Sequence, residues 1–433
     1  MGTLVQKFGG SSVAGADKLR ACARHVVAAR RRGERVVVVV SAMGDATDEL
    51  IALAETVTQQ PDRRELDQML ATGEQVSIAM MALTLKSLGV PALSLTGAQA
   101  AIQTDDAFGR ASIQAIDAQR LSRLLDQDVV PVVAGFQGVT PAGEVTTLGR
   151  GGSDTTAVAL AAALRGSALL ASSEPEHRVA CEIYKDVDGV YTDDPRIVPG
   201  ARRLLRVRYD EMLEAAALGA QVLHPRAVEM AQRFGVPVRV VHSQTHDPSD
   251  LAGGTWVVGE DPAMEARAVA SVVLKRNVGR ISLRGVPNVP GVQAKVFAPL
   301  AARLLPIDDI IQEDDGPSTI NLTWTMDKRD LLEAAPIVHE VAGPVGAQAL
   351  RIDGAASPIA GASGAQSGLV TLSAVGAGMR TTPGVAATMF EALAQKRIKV
   401  ENITTSEIRI SCVLAEADGE AAARAVHEAF GLG

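Results

Sequence analysis

Three stretches of the chain bring glycines close to cations, two of them with carboxylates as well, a combination suited to phosphate chemistry. The first, Lys7-Phe8-Gly9-Gly10-Ser11-Ser12, follows the strand-like Leu4–Gln6 and precedes a helix expected from about Ala16. Glycines let the backbone approach an anion, the following amides and the helix N-terminus donate N–H groups, and Lys7 brings a point charge. The stretch is neither a Walker A sequence nor a GxGxxG fingerprint, and an ordinary βα turn would use the same residues. The second stretch, Thr146–Thr156, passes through Gly149, Gly151 and Gly152 into an apolar helix expected over Ala157–Leu164. Arg150 has the planar fork that grips a carboxylate, and Asp154 in the first helical turn can orient a lysine or Mg²⁺, or simply cap the helix. The third, Tyr184–Arg196, ends a strand with alternating carboxylates and aromatics and then turns at Asp194-Pro195, a pattern able to line a purine and ribose pocket. Its Asp186-Val187-Asp188-Gly189 is also found in calcium loops, but Val190-Tyr191 supplies none of their later ligands.

Groups of this kind need strands and helices that hold them at one edge of a sheet. The valine run Val36–Val40, with Val129–Val133 and Val236–Val241, predicts strands buried on both faces, and Glu211–Ala217 predicts a helix between them. The fold expected for the first 250 residues is therefore α/β, an open and mostly parallel sheet with helices on both faces. In such sheets ligands bind beyond the carboxyl ends of the strands, where Ser41-Ala42-Met43-Gly44, Thr47 and Thr72-Gly73-Glu74, expected just before a helix, can join the three loops.

A polar, turn-rich stretch from His246 to Pro262 marks the main domain boundary. Beyond it Ile281–Ile311 and Leu369–Ile403 resemble each other, each reading as strand, Gly/Pro turn, helix and strand. Val289-Pro290-Gly291-Val292 corresponds to Thr382-Pro383-Gly384-Val385, and each is followed by an apolar helix and a strand expected to hold Ile307 or Ile398. Ala355–Ser367, rich in Gly, Ala and Ser, reads as the linker between two small α+β units.

At 433 residues the chain exceeds what one hydrophobic core usually supports, so two or three domains are expected. It is 47% hydrophobic but only 3% aromatic, which favours close-packed helices on strands over a β-sandwich. A formal net charge of −8 leaves no global basic field for a nucleic-acid backbone, and Arg30-Arg31-Arg32 reads as a solvated helix end. Cys22, Cys181 and Cys412 are too scattered for a disulfide framework or a metal site and read as reduced, buried thiols. Neither a signal peptide nor a spanning helix is evident, so a soluble cytoplasmic protein is expected, with no membrane partner.

Taken together, these motifs resemble the aspartokinase family within the amino-acid kinase fold. The resemblance rests on Lys7–Val13, Val40–Gly44, Ala71–Val76, Ala134–Gly138, Thr147–Thr156, Asp186–Arg196, Leu223-His224-Pro225, Ser373–Val385 and Thr405–Ile408, and so covers essentially the whole chain. It implies a kinase domain at 1–250 and two ferredoxin-like ACT domains at 265–354 and 368–433. The implied activity is transfer of the ATP γ-phosphoryl group to L-aspartate, with ATP and Mg²⁺ as cofactors and no dedicated protein metal site. Carried over by motif, Lys7 and Asp154 are the catalytic pair, and Ser41, Thr47, Glu74 and Arg150 hold aspartate. Lys7, Gly9, Gly10, Ser11, Tyr184, Lys185, Asp186, Tyr191 and Arg196 lie along the nucleotide. Asn288, Gly291, Gln312 and Thr319 fall at the ACT effector site, where lysine or threonine is the implied ligand, and a homodimer or larger assembly through the ACT domains is expected. Other readings of the same residues are a kinase of this fold acting on a related acid, or a non-catalytic amino-acid sensor.

The sequence departs from the family pattern in several places. Lys185 stands where threonine or serine is usual, Phe108 and Arg110 replace a histidine and an asparagine, and extra residues occur near 166–177 and 245–253. In the first ACT unit, Asn288 and Thr319 occupy positions where many relatives carry aspartate.

Overall fold

The computed structural model describes residues 2–171, 179–220, 222–250, 252–259, 267–355, 363–364 and 368–433. Packing divides the chain into two units. Residues 1–191, 203–217 and 221–264 form the first, while 192–202, 218–220 and 265–433 form the second. The expected linker at 355–367 and the extra stretch near 166–177 fall partly outside the described residues.

The strands of the first unit are β1 (Thr3–Phe8), β2 (Arg35–Val40), β3 (Ala92–Leu95), β4 (Ile102–Thr104), β5 (Ile113–Ile116), β6 (Val130–Ala134), β7 (Gln137–Val139), β8 (Val145–Thr147), β9 (Val179–Lys185), β10 (Arg206–Arg208), β11 (Val238–His242) and β12 (Thr255–Val258). Its helices are α1 (Gly10–Val13), α2 (Ala16–Arg31), α3 (Ala46–Glu55), α4 (Arg63–Ser87), α5 (Gln119–Asp126), α6 (Gly152–Ala171), α7 (Tyr209–Ala217) and α8 (Pro225–Phe234). An eight-stranded sheet runs β10-β12-β11-β9-β1-β2-β6-β3 and is parallel except where β12 meets β11. The valine runs lie at its centre, as expected of strands covered on both sides. A smaller sheet, β5-β4-β7-β8, carries the 105–112 loop and ends at Thr147.

The two-residue repeat of a strand decides which side chains reach the site. Phe8 and Tyr184 enter the core beneath α2 and α4, together with Leu19, Val26, Ile78 and Met81. Lys7 points to the other face, where α6 covers β1 and β9. The Thr72-Gly73-Glu74 motif does not precede a helix, as its sequence suggested, but lies inside the 25-residue α4, which starts where the Asp62 carboxylate caps Arg64 and Glu65. At Gly73 a Cβ would come 3.0 Å from that of Ala42, so the absent side chain lets the helix pack closely against the turn after β2.

The second unit shares one sheet between the two repeats. Its strands are β13 (Ser271–Pro287), β14 (Ile310–Asp314), β15 (Thr319–Asp327), β16 (Ala349–Asp353), β17 (Leu369–Val375), β18 (Asn402–Thr405) and β19 (Arg409–Ala415). Its helices are α9 (Val292–Ala302), α10 (Leu331–Ala342), α11 (Val385–Gln395) and α12 (Gly419–Ala429). β13 is 17 residues long, and its first half pairs with β17 of the second repeat while its second half pairs with β15 and β16 of the first. Each repeat keeps its own core, one around Trp324 beneath α9 and α10, the other around Leu372 and Met389 beneath α11 and α12. Ile307 and Ile398 pack into these cores from the turns after the helices, and the strands expected to hold them begin later, at Ile310 and Asn402. No helix among the described residues is long and apolar enough to cross a membrane.

Candidate active site

Lys7, near the end of β1, and Asp154, in the first turn of α6, form a buried ion pair with Nζ 2.7 Å from Oδ1. The other carboxylate oxygen, Oδ2, lies 3.1 Å from Nζ of Lys185, the last residue of β9. One carboxylate is thus shared by ammonium groups from two adjacent parallel strands. Burial works against the Asp154 charge, yet Lys7 and then Lys185 hold its carboxyl below the usual carboxylate range. Burial also draws the Lys7 ammonium below the ordinary lysine value, with Asp154 opposing it.

The glycine-rich segment after β1 is fixed by backbone bonds to both neighbours. Gly9 N–H donates to the Tyr184 carbonyl at 3.4 Å, and Gly44 N–H donates to the Gly10 carbonyl at 3.1 Å. Ser11 is exposed, and its carbonyl accepts from Lys18 at 2.9 Å. Ser41 N–H donates to the Phe8 carbonyl at 3.1 Å, which sets the turn after β2 beside the turn after β1.

Helix α4 ties the remaining loops to this edge. Glu74, 2% exposed, accepts the Ala42 N–H at 2.9 Å through Oε1, while its Oε2 is buried without a hydrogen-bond partner. Desolvation raises the Glu74 carboxyl to about 7, only partly offset by the Ala42 amide. Seven residues earlier, on the same helical face, Asp67 is fully buried and accepts from Gly109 N–H at 2.9 Å, Thr147 N–H at 2.8 Å and Thr147 Oγ1 at 2.6 Å. It therefore anchors both the 105–112 loop and the end of β8, from which the Arg150 turn departs. Arg226 holds the same turn from another side, donating to the carbonyls of Leu148 at 2.5 Å and Ala111 at 3.0 Å. Gly151 has φ +69° and lies against His224, so closely that a Cβ would come 2.1 Å from the imidazole Cγ. Asp67 and Arg226 carry no motif signal: a lone carboxylate on a helix and an arginine after a proline show their role only once residues some 80 positions away are adjacent.

The other expected site residues are distributed as follows. Thr47 lies in the first turn of α3, half-buried, and Arg150 is exposed on its turn. Tyr184 faces inward: its ring stacks on Phe8 at 4.6 Å and its hydroxyl donates to Glu182 Oε2 at 2.8 Å, so only its carbonyl meets the glycine turn. Asp186 is exposed just beyond β9, and the Tyr191 hydroxyl donates to Asp188 Oδ1 at 2.9 Å. Arg196 is exposed, belongs to the second unit and grips Asp194 with the Nε–Nη2 edge of its guanidinium, at 2.9 and 2.7 Å. Phe108 is half-buried and Arg110 exposed in the loop that Asp67 anchors.

In the second unit, Asn288, Gly291, Gln312 and Thr319 gather at one end of the first repeat. Asn288 N–H donates to the Ser318 carbonyl at 2.8 Å, Pro287 pairs with Thr319, and Gln312 accepts from Gln293 of α9 at 2.9 Å. Gly291 caps the start of α9 with φ +87°.

Among the described residues no three His, Cys, Asp or Glu side chains come together as a metal site, and both oxygens of Asp154 already face ammonium groups. The cluster presents cations rather than free acceptors. It fits an anion, since two cations, a glycine backbone and the start of a 20-residue helix converge there.

Comparison with known proteins agrees with this chemistry. Residues 2–242 match the amino acid kinase family and residues 372–430 match an ACT domain. The aspartate kinase of Stutzerimonas stutzeri is 43% identical over 432 residues, which is 100% of this chain and 98% of that protein. The crystal structure of E. coli aspartokinase III in complex with aspartate and ADP is 25% identical, with a TM-score of 0.75 over 98% of this chain and 99% of that one. The same enzyme in complex with lysine and aspartate is 26% identical, with a TM-score of 0.72 over 98% of each chain. The chain belongs to the amino acid kinase family, and within it to the aspartokinases.

Proposed function

We propose that this chain is an aspartate kinase, transferring the γ-phosphoryl group of ATP to the β-carboxylate of L-aspartate to give 4-phospho-L-aspartate. That product opens the route to lysine, threonine and methionine. The observation that carries the proposal is Glu74, whose buried second oxygen awaits a cation at the edge of the sheet that also bears the Lys7–Asp154 pair. The α-ammonium of aspartate supplies that cation, Arg150 grips the α-carboxylate, and the Ser41 and Thr47 hydroxyls complete the pocket. The β-carboxylate, already ionised, needs no general base. One of its oxygens forms a bond to the γ-phosphorus as the bond to the ADP oxygen breaks, and no proton moves.

Charge is the protein's task in this step. Lys7 neutralises the transferring phosphoryl group while Asp154 fixes the position of its ammonium. The amides of Gly9, Gly10 and Ser11 cradle the phosphates, and the segment around Tyr184, Lys185, Asp186 and Tyr191 borders the nucleoside. Magnesium travels on the triphosphate rather than in a cage of carboxylates.

The kinase domain at 1–250 carries two ACT domains, at 265–354 and 368–433. These bind lysine or threonine near Asn288, Gly291, Gln312 and Thr319, and they join subunits into a homodimer or larger assembly. The outer strands β14 and β18 support such pairing, since they expose Ile310 and Ile403 along sheet edges. The protein works in the cytoplasm.

The test is ATP turnover with L-aspartate, with L-glutamate and with no acceptor, trapping the acyl phosphate as a hydroxamate. Aspartate-dependent hydroxamate with little from glutamate supports the proposal; equal turnover with glutamate, or none with aspartate, rejects it.

A further inference from the structure

Lys185 is one of the residues at which the sequence leaves its family pattern, and it lies within an ion-pair distance of the central carboxylate. Its Nζ is 3.1 Å from Asp154 Oδ2, and its side chain is 20% exposed, against 7% for Lys7 and 4% for Asp154. An ammonium has three donors, so the Asp154 contact leaves Lys185 with bonding capacity on the side open to solvent. Its backbone is fixed: the Lys185 carbonyl accepts the Ser243 N–H at 2.7 Å and the strand pairs with His242 of β11. The preceding carbonyl, that of Tyr184, receives the Gly9 amide of the phosphate cradle. Two ammonium groups around one carboxylate leave a net positive charge.

We infer that Lys185 is a second catalytic cation, which keeps one donor on Asp154 and turns the others onto the γ-phosphoryl oxygens as they accumulate charge. This deepens the aspartate-kinase reading and rests on it, for it moves Lys185 from the border of the nucleoside to the reacting phosphoryl group. Lys7 then approaches from β1 and Lys185 from β9, with Asp154 holding the spacing between them. Threonine at this position could bond a phosphate but would bring no charge.

The experiment compares wild type, Lys185→Thr and Lys185→Arg. Equilibrium binding is measured for ADP and for the non-hydrolysable β,γ-imido analogue of ATP, and kcat and KM are measured with aspartate. Lys185→Thr should lower affinity for the triphosphate analogue about tenfold or more while ADP affinity stays within about twofold. It should also lower kcat by an order of magnitude or more at unchanged KM for aspartate, and Lys185→Arg should restore much of the loss because the charge returns. An unchanged preference for the analogue over ADP, or equal weakening of both nucleotides, overturns the inference. Asp154 keeps Lys7 as a partner in each variant, and Lys185→Gln provides a second neutral variant for the same measurement should Lys185→Thr not fold. Binding needs no acceptor, so its outcome is separate from the aspartate reading, which fails instead if wild type binds the analogue but does not phosphorylate aspartate.

Discussion

Glu74 Oε1 takes the Ala42 N–H at 2.9 Å, which leaves Oε2 of the same carboxylate buried with no partner. A helix in the middle of the kinase unit is thereby joined to the turn after β2.

That arrangement sets a pH dependence. Burial raises the Glu74 carboxyl from 4.5 to about 7, so the group is neutral in the folded protein and ionised in the unfolded chain between those values. The unfolded state binds fewer protons there, so stability of the ligand-free protein contributed by this group falls as pH rises from about 4.5 to 7. Binding of an ammonium needs the ionised form, so kcat/KM for aspartate should rise about tenfold from pH 6 to pH 8 and level off above. Glu74→Gln should abolish that rise, raise KM for aspartate, and increase the melting temperature at pH 8 but not at pH 5. A rise of the same size in the variant would assign the titration to another group.

Arg150 sits exposed on a turn whose approach is anchored by Asp67 and Arg226. Arg150→Lys keeps the charge but loses the planar fork, and should raise KM for aspartate by roughly tenfold with little change in KM for ATP. A change confined to ATP would move Arg150 to the nucleotide.

Asp67 accepts three hydrogen bonds from Gly109 and Thr147 while fully buried. Asp67→Ala would strand those donors and should destabilise the protein by about 3 kcal/mol or more, with Asp67→Asn losing less because it keeps one acceptor. Urea unfolding gives the stability, and KM for aspartate should rise in parallel as the Arg150 turn loosens. Wild-type stability in Asp67→Ala would show that the network contributes nothing measurable.

Much of this was legible in the sequence. Valine runs, glycine turns and apolar helices set the α/β class, because buried parallel strands leave an unbroken apolar signature, as at Val36–Val40. Lys7 and Asp154 stand out in the sequence because each lies beside a glycine turn. What was not legible depends on parity and on distance along the chain. The inward turn of the Tyr184 ring toward Phe8 follows from strand alternation, which the local motif does not reveal. The repeats read as separate modules because a shared strand, β13, leaves no mark in either copy. The place of Glu74 inside α4 is hidden because a glycine at position 73 is unusual within a helix, and its close packing on Ala42 appears only in the fold.

Regulation should be weak. Asn288, Gln312 and Thr319 offer neutral groups at the end of the first repeat, and a charge-assisted hydrogen bond is worth ~1.5–3 kcal/mol, so an ammonium-bearing effector should lose about tenfold or more in affinity. Titration of activity with lysine and threonine, singly and together at subsaturating aspartate, should give half-inhibition above about 1 mM, near 4 kcal/mol of binding. Tighter inhibition would mean that Glu313, Asp314 and Asp315, exposed in and just after β14, supply the charge instead.

Lys7 and Asp154, 2.7 Å apart and almost wholly buried, form the ion pair on which phosphoryl transfer should depend. The most direct test is steady-state kinetics of Lys7→Ala and Asp154→Ala with aspartate and ATP varied separately. Because these interactions strengthen as charge moves to the transferring phosphoryl group, each substitution should lower kcat on the order of a hundredfold to a thousandfold, with KM for aspartate changed by no more than about threefold. Wild-type kcat in either folded variant, or a loss confined to KM, would contradict the assignment of this pair as the catalytic centre.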